Sequence, residues 1–231
     1  MPRFEPFRGT RYAEHLSGSD VTCPPYDVIS PEDRAALAAR HEANAVLVEL
    51  PEAEGGGDRY ASAAATLDRW LAEGTLVTDE EPGFYVYRMG FHDEAGRPRE
   101  TVGLIGAMEL AVPGTGDVLP HERTMPKAKS DRLDLLRATR TNVSPVWGLS
   151  MAEGMSGLCE VSTPPVGRAT DADGVHHRLY RVTQQGHLDA IAEAVGAHPV
   201  VIADGHHRYQ TGLNYQQEQR DAGAGAGAHD L

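Results

Sequence analysis

The chain has 231 residues, 40% apolar and 24% charged, enough for a core that needs neither metal nor disulfide staples. A mean hydropathy of −0.41 with no apolar run of bilayer length argues against a membrane span, and the first residues lack the apolar stretch of a secretory signal. Thirty-four acidic against 21 basic side chains leave a net charge of −13, which repels nucleic acid and anionic lipid.

The two cysteines, Cys23 and Cys159, stand far apart in sequence, as reduced thiols of a cytoplasmic protein would. The expected partner is a small molecule, with no nucleic acid and no membrane, and the sequence leaves the oligomeric state open.

Taken in chain order, Tyr26-Asp27 after two prolines reads as a rigid turn into Ser30-Pro31-Glu32-Asp33. That tetrad opens a helix over about 31–41 through a side-chain cap, proline at the first helical position and acids at the positive dipole end. Asp58 caps a second helix that places Tyr60, Ala64, Leu67 and Leu71 on one face, and Gly74 stops it. Residues 84–92 and 101–112 are rich in aromatic and β-branched side chains and flank Asp93-Glu94-Ala95-Gly96-Arg97-Pro98, the pattern of a hairpin with a loose turn. A helix over about 130–139 and strands near 145–149 and 175–182 follow.

Next come a helix at 188–197, a strand at 198–203 and, after Asp204-Gly205, a helix through Tyr215. Residues 222–228, all glycine and alanine, read as a flexible loop after which the chain stops with no further element, as though a continuation were missing. Both tryptophans, Trp70 and Trp147, are expected in the core. The fold class is α/β in the mixed α+β sense, with an N-terminal α/β region over 1–112 and a second region over 113–231.

Two segments could carry chemistry. In Val200-Val201-Ile202-Ala203-Asp204-Gly205-His206-His207-Arg208 a strand passes through glycine into a helix, whose first amides are unpaired and face the turn where the dipole favours an anion. Gly205 lets the backbone approach, Arg208 can bind phosphate bidentately, and His206 and His207 can donate to phosphate oxygens. Asp204 faces the same spot as an orienting carboxylate or a Mg²⁺ ligand.

The second segment, Pro120-His121-Glu122-Arg123, precedes the only two lysines, Lys127 and Lys129. From 120 to 140 there are six Lys or Arg against three acids, an anion-attracting stretch in an acidic chain. A carboxylate such as Glu122 among these cations suits a base that accepts a hydroxyl proton during phosphoryl transfer. Lysine suits a mobile counter-charge for the moving group.

Pro120-His121-Glu122 followed much later by Asp204-Gly205-His206-His207-Arg208 resembles the free serine kinases of the ParB/sulfiredoxin-like fold. The whole chain, with Cys23-Pro24-Pro25-Tyr26-Asp27-Val28-Ile29-Ser30 near its start, also looks like the DUF1015 family. The resemblance implies a ParB/sulfiredoxin-like core over 113–231, truncated at its C-terminal side, with Glu122 as base, Asp204 as its catalytic partner and His121 beside them. It further implies Gly205, His206, His207 and Arg208 as the phosphate cradle, to which the basic composition of 120–140 adds Arg123, Lys127 and Lys129 as accessory cations. The activity so implied is phosphorylation of free L-serine from ATP, ADP or pyrophosphate with Mg²⁺. The alternative is a non-catalytic nucleotide- or phosphate-binding regulatory module of the same fold.

Overall fold

Turn residues and apolar periodicity cut the chain into short elements, and the computed structural model describes residues 2–53, 56–112, 114, 116–120 and 126–231. The first third holds β1 (Phe4–Glu5), β2 (Thr10–Tyr12), α1 (Gly18–Val21), a 3-10 turn at Tyr26–Val28, α2 (Pro31–Arg40), α3 (Val46–Glu49), α4 (Arg59–Ala72) and β3 (Leu76–Thr78). The middle holds β4 (Phe84–His92), β5 (Pro98–Ile105), β6 (Ala107–Met108), β7 (Val118–Leu119), α5 (Pro126–Thr139), β8 (Trp147–Ser150) and α6 (Met155–Leu158). The last part holds β9 (Gly167–Thr170), β10 (His176–Val182), α7 (Gln185–Gly196), β11 (Val200–Asp204), α8 (His206–Asp221) and a 3-10 turn at Ala228–Asp230. The class is mixed α/β.

β4 and β5 form the expected hairpin, with Tyr85 opposite Ile105 and His92 opposite Pro98. β10 lies antiparallel on the other side of β4 and β9 outside β10, giving the order β5-β4-β10-β9. This sheet draws strands from both sides of residue 112. A second sheet has the order β7-β11-β8, with β11 parallel to β7 and antiparallel to β8. The strand pairs β1–β6 and β2–β3 complete the pairing among the described residues.

Three apolar clusters hold these layers. α7 sets Leu188, Ile191 and Val195 against Phe84, Val86 and Val182 of the four-stranded sheet, with Phe4 stacked on Phe84 at 4.9 Å between ring centroids. A fully buried side chain of this kind contributes about 1.5–3 kcal/mol. Val21, Val48, Ala63, Trp70 and Leu135 join α1, α3, α4 and α5. Val118, Ile202, Tyr209 and Leu213 seal α8 onto β7 and β11.

Local signals hold where the chain's own atoms satisfy them. Ser30 and Asp33 form a reciprocal capping box on α2, and Pro31 occupies its first position. Asp58 caps α4 by accepting from the Tyr60 amide. The buried face of α4 is shifted from expectation: Ala63 and Trp70 are buried, while Leu71 is 43% exposed. The bulk of the indole decides between two stripes that fit a helical period equally well.

α5 begins at Pro126, where a missing N–H costs nothing, rather than near 130, and α7 begins at Gln185 rather than 188. β5 begins at Pro98, tolerated because it is the first residue of an outer strand. Residues 222–228 do not run to a bare end. Asp230 is buried in a closing turn where its carboxylate accepts from Gln216, Arg220 and the Gly227 amide, and its carbonyl accepts from the Leu110 amide.

Candidate functional site at the start of the last long helix

β11 ends at Asp204, and Gly205 carries the chain into α8 with φ 86° and ψ 27°. L side chains resist this left-handed geometry. A Cβ here would also lie 3.1 Å from Cζ, Nε and Nη2 of Arg208. Glycine therefore serves twice, turning the backbone and letting the guanidinium lie over the turn.

Gly205 has no side chain to cap α8, so the cap residue does not engage the amides of its first turn, beside Arg208. Arg208 Nη2 donates to Asp204 Oδ2 at 2.6 Å, and Nη1 donates to the Pro145 carbonyl. Asp204 stays about two-thirds exposed, whereas Arg208 is largely covered. The pair holds the guanidinium over the helix start while leaving the carboxylate accessible.

The strands on either side aim at the same edge. β7 runs parallel to β11, with Val118 opposite Val200 and Leu119 opposite Val201, so the C-terminal ends of both strands emerge together. Crevices outside the carboxyl ends of parallel strands are where open α/β sheets bind ligands. On the other side the register of β8 skips one residue of β11, placing Trp147 opposite Asp204. Trp147 is 54% exposed, which corrects its expected core position: it begins β8, an edge strand, where Leu149 two residues on is exposed as well.

A buried ionic network backs the turn. Arg132 of α5 and Glu49 of α3 each expose only 6% of their side chains and approach at 3.5 Å. Arg132 also donates to Asp131 Oδ2 at 2.9 and 2.7 Å and to the Glu49 carbonyl at 2.9 Å. Despite the upward push of burial, the hydrogen bonds from Arg132 and Tyr60 hold the Asp131 carboxyl below its ordinary range.

Ser144 donates to Glu49 Oε1, and its neighbour Pro145 accepts from Arg208. Two consecutive residues thus tie the Arg132–Glu49 pair to the α8 turn. The Arg132 guanidinium lies 4.2 Å from the centre of the Tyr26 ring, a cation–π contact. Burial raises the Tyr26 phenol pKa against the pull of Arg132 and Arg208, with Asp27 and Glu49 adding to the rise. The same Glu49 helps burial push the Cys23 thiol up to about 12.

A family model described as "Protein of unknown function (DUF1015)" matches residues 4–231. The chain belongs to the DUF1015 family. No curated protein and no solved structure matches it.

In this DUF1015 chain, Asp204, Gly205, His206, His207 and Arg208 occur together at one strand-to-helix turn. His206 is buried, and Arg208 and Asp204 are paired. Lys127 and Lys129 fall in the opening turn of α5, the helix that packs on α8, with their side chains outside the described part. His121, Glu122 and Arg123 lie outside the described residues.

Tyr26, Glu49, Arg132 and Trp147 were not among the expected site residues. Arg132 belonged to the basic 120–140 stretch and Tyr26 to a proline-led turn, and these were the available signals. Nothing in the sequence joins a turn near residue 26 to a helix at 132. Among the described residues no group of three or more His, Cys, Asp or Glu is arranged to hold a metal ion, and no helix is long and apolar enough to cross a membrane.

Proposed function

We propose that this DUF1015 chain is a phosphotransferase that moves the terminal phosphoryl group of ATP, ADP or pyrophosphate to the hydroxyl of free L-serine, in a cytoplasmic setting and on a ParB/sulfiredoxin-like core. The observation that carries this reading is the turn at Gly205. A left-handed, side-chain-free residue sets the first amides of α8 and the Arg208 guanidinium at one turn, a seat for phosphate oxygens. The parallel pairing of β7 with β11 supports the second half of the reading, because Pro120 and the His121-Glu122-Arg123 segment follow directly on β7. The net charge of −13 favours a small-molecule acceptor over nucleic acid.

The turn fits a donor phosphate through its cation: glycine leaves room for the Arg208 guanidinium, which Asp204 and Pro145 fix over the helix start. Mg²⁺ is ordinarily held by one or two carboxylates plus substrate phosphates, and the exposed carboxylate of Asp204 is the group that would hold it. When bound, the ion neutralises phosphate charge.

In the step proposed, the serine oxygen attacks the terminal phosphorus, the bond from phosphorus to the leaving phosphate oxygen breaks, and the hydroxyl proton passes to Glu122. His206 and His207 donate to the donor phosphates. His121, Arg123, Lys127 and Lys129 are the residues assigned to supply cations and hydrogen-bond donors to the transferred group.

The test is phosphorus NMR of the protein with L-serine, Mg²⁺ and each donor in turn. O-phosphoserine should form, and Glu122→Gln or Asp204→Asn should abolish turnover while donor binding persists. Donor binding without product in the wild-type protein would replace this reading with that of a regulatory phosphate-binding module.

A further inference from the structure

We propose that the groove on the β9–β10 hairpin is a second, separate anion site that takes a phosphate monoester of a small organic molecule. The observation is a like-charge pair. Arg168 of β9 and Arg178 of β10 are direct cross-strand partners, and Arg88 of β4 lies opposite Arg178 on its other side. Residues directly opposite in an antiparallel pair share a face with Cβ atoms about 4.5–5.5 Å apart, and like charges there oppose pairing.

Arg88 is neutralised by Glu100 at 2.6 Å and Glu160 at 3.5 Å. Among the described residues no carboxylate lies within ion-pair distance of Arg168 or Arg178. This happens in a chain with thirteen more acids than bases, where most arginines do find an acid.

The pair borders an open groove of about 540 Å³ whose lining contains no Asp or Glu. That volume falls within the range of small-molecule sites. His176, on the same strand face as Arg178, and Thr170 opposite it extend the polar wall, their side chains in contact at 3.1 Å. Tyr180 and Pro165 supply flatter surface at the other end.

Two arginines at facing positions of one groove suit a tetrahedral dianion, whose binding removes the repulsion between them. One such pair is too short a track for a nucleic acid, which the overall charge also repels. The ring and proline beside the pair suit an organic body attached to the phosphate. The groove is built by β9 and β10, whereas the α8 turn is built by β11, β7 and β8, so neither site depends on the other.

Calorimetric titration with AMP, glucose 6-phosphate and inorganic phosphate tests the proposal, on the wild-type chain and on Arg178→Glu and Arg208→Ala. One-to-one binding of AMP or glucose 6-phosphate is expected, weakened at least tenfold in Arg178→Glu and retained in Arg208→Ala. Because Arg178→Glu turns the repelling pair into an attracting one, its unliganded melting temperature should rise by about 1–4 °C, which shows that lost binding is not lost folding. The proposal is overturned if neither ester binds, if Arg178→Glu binds as the wild type does, or if Arg208→Ala alone removes binding.

Discussion

Replacing Gly205 with alanine separates the two tasks that this residue performs. At φ 86° an alanine pays left-handed backbone strain of about 1–2 kcal/mol. Its Cβ meets the Arg208 guanidinium at 3.1 Å, a contact relieved by swinging that flexible side chain off the turn. Stability should therefore fall by about 1–2 kcal/mol, or roughly 2–8 °C in melting temperature for a chain of this size.

Donor affinity should fall further than strain alone explains, because the displaced guanidinium leaves its place over the α8 amides. A charge-assisted hydrogen bond is worth about 1.5–3 kcal/mol, so the expected loss is about ten- to a hundredfold. Gly205→Asn is the control: asparagine tolerates the left-handed region but carries the same Cβ. It should recover much of the melting temperature and little of the affinity. Thermal denaturation and calorimetric titration with ATP, ADP and pyrophosphate read both effects. If both variants bind the donor as tightly as the wild type, the cradle assigned to Gly205 and Arg208 is wrong.

Arg132→Met leaves Glu49 buried without its counter-ion and should cost about 3–5 kcal/mol; adding Glu49→Gln should recover part of that loss in chemical denaturation. Trp70→Ala should cost about 3–5 kcal/mol, while Trp147→Ala, at an exposed position, should stay within about 1 kcal/mol of wild type. Iodide should quench Trp147 fluorescence and spare Trp70, and donor binding beside Asp204 should alter the Trp147 signal. The Cys23 thiol, raised to about 12 by burial and Glu49, should alkylate far more slowly in the native than in the unfolded chain at pH 8. Since its folded pKa exceeds the unfolded one, its contribution to stability is complete below about pH 8.5 and disappears as pH climbs toward 12, which alkaline denaturation of wild type against Cys23→Ser would show.

What the sequence made legible was local. Ser30, Pro31 and Asp33 lie within four residues of each other and determine the start of α2 by themselves, and the Asp204-Gly205 break between β11 and α8 is equally self-contained. The short elements α1, α3 and β9 were not legible, because they are too brief to show a period and are held by tertiary neighbours. One example is the Thr170 amide of β9 donating to Ser19 of α1 across 151 positions.

The candidate site divides the same way. Its phosphate-facing turn could be read from consecutive residues. Its backing of Tyr26, Glu49 and Arg132, drawn from three distant segments, could not. Trp147 was misplaced for a related reason, since hydrophobicity alone does not say which strand of a three-stranded sheet lies at its edge.

The position of β10 between β4 and β9 has a consequence for the newborn chain. The β4–β5 hairpin leaves the ribosome roughly 75 residues before the strand that completes it, a wait of about 4–15 s at ordinary translation speeds. During that interval Phe84 and Val86, later sealed by α7, have no permanent cover, and the inner edge of β4 is open to any passing strand. Slowing elongation across this stretch or depleting trigger-type chaperones should therefore lower the yield of native protein more than equal treatment applied after β10 has emerged.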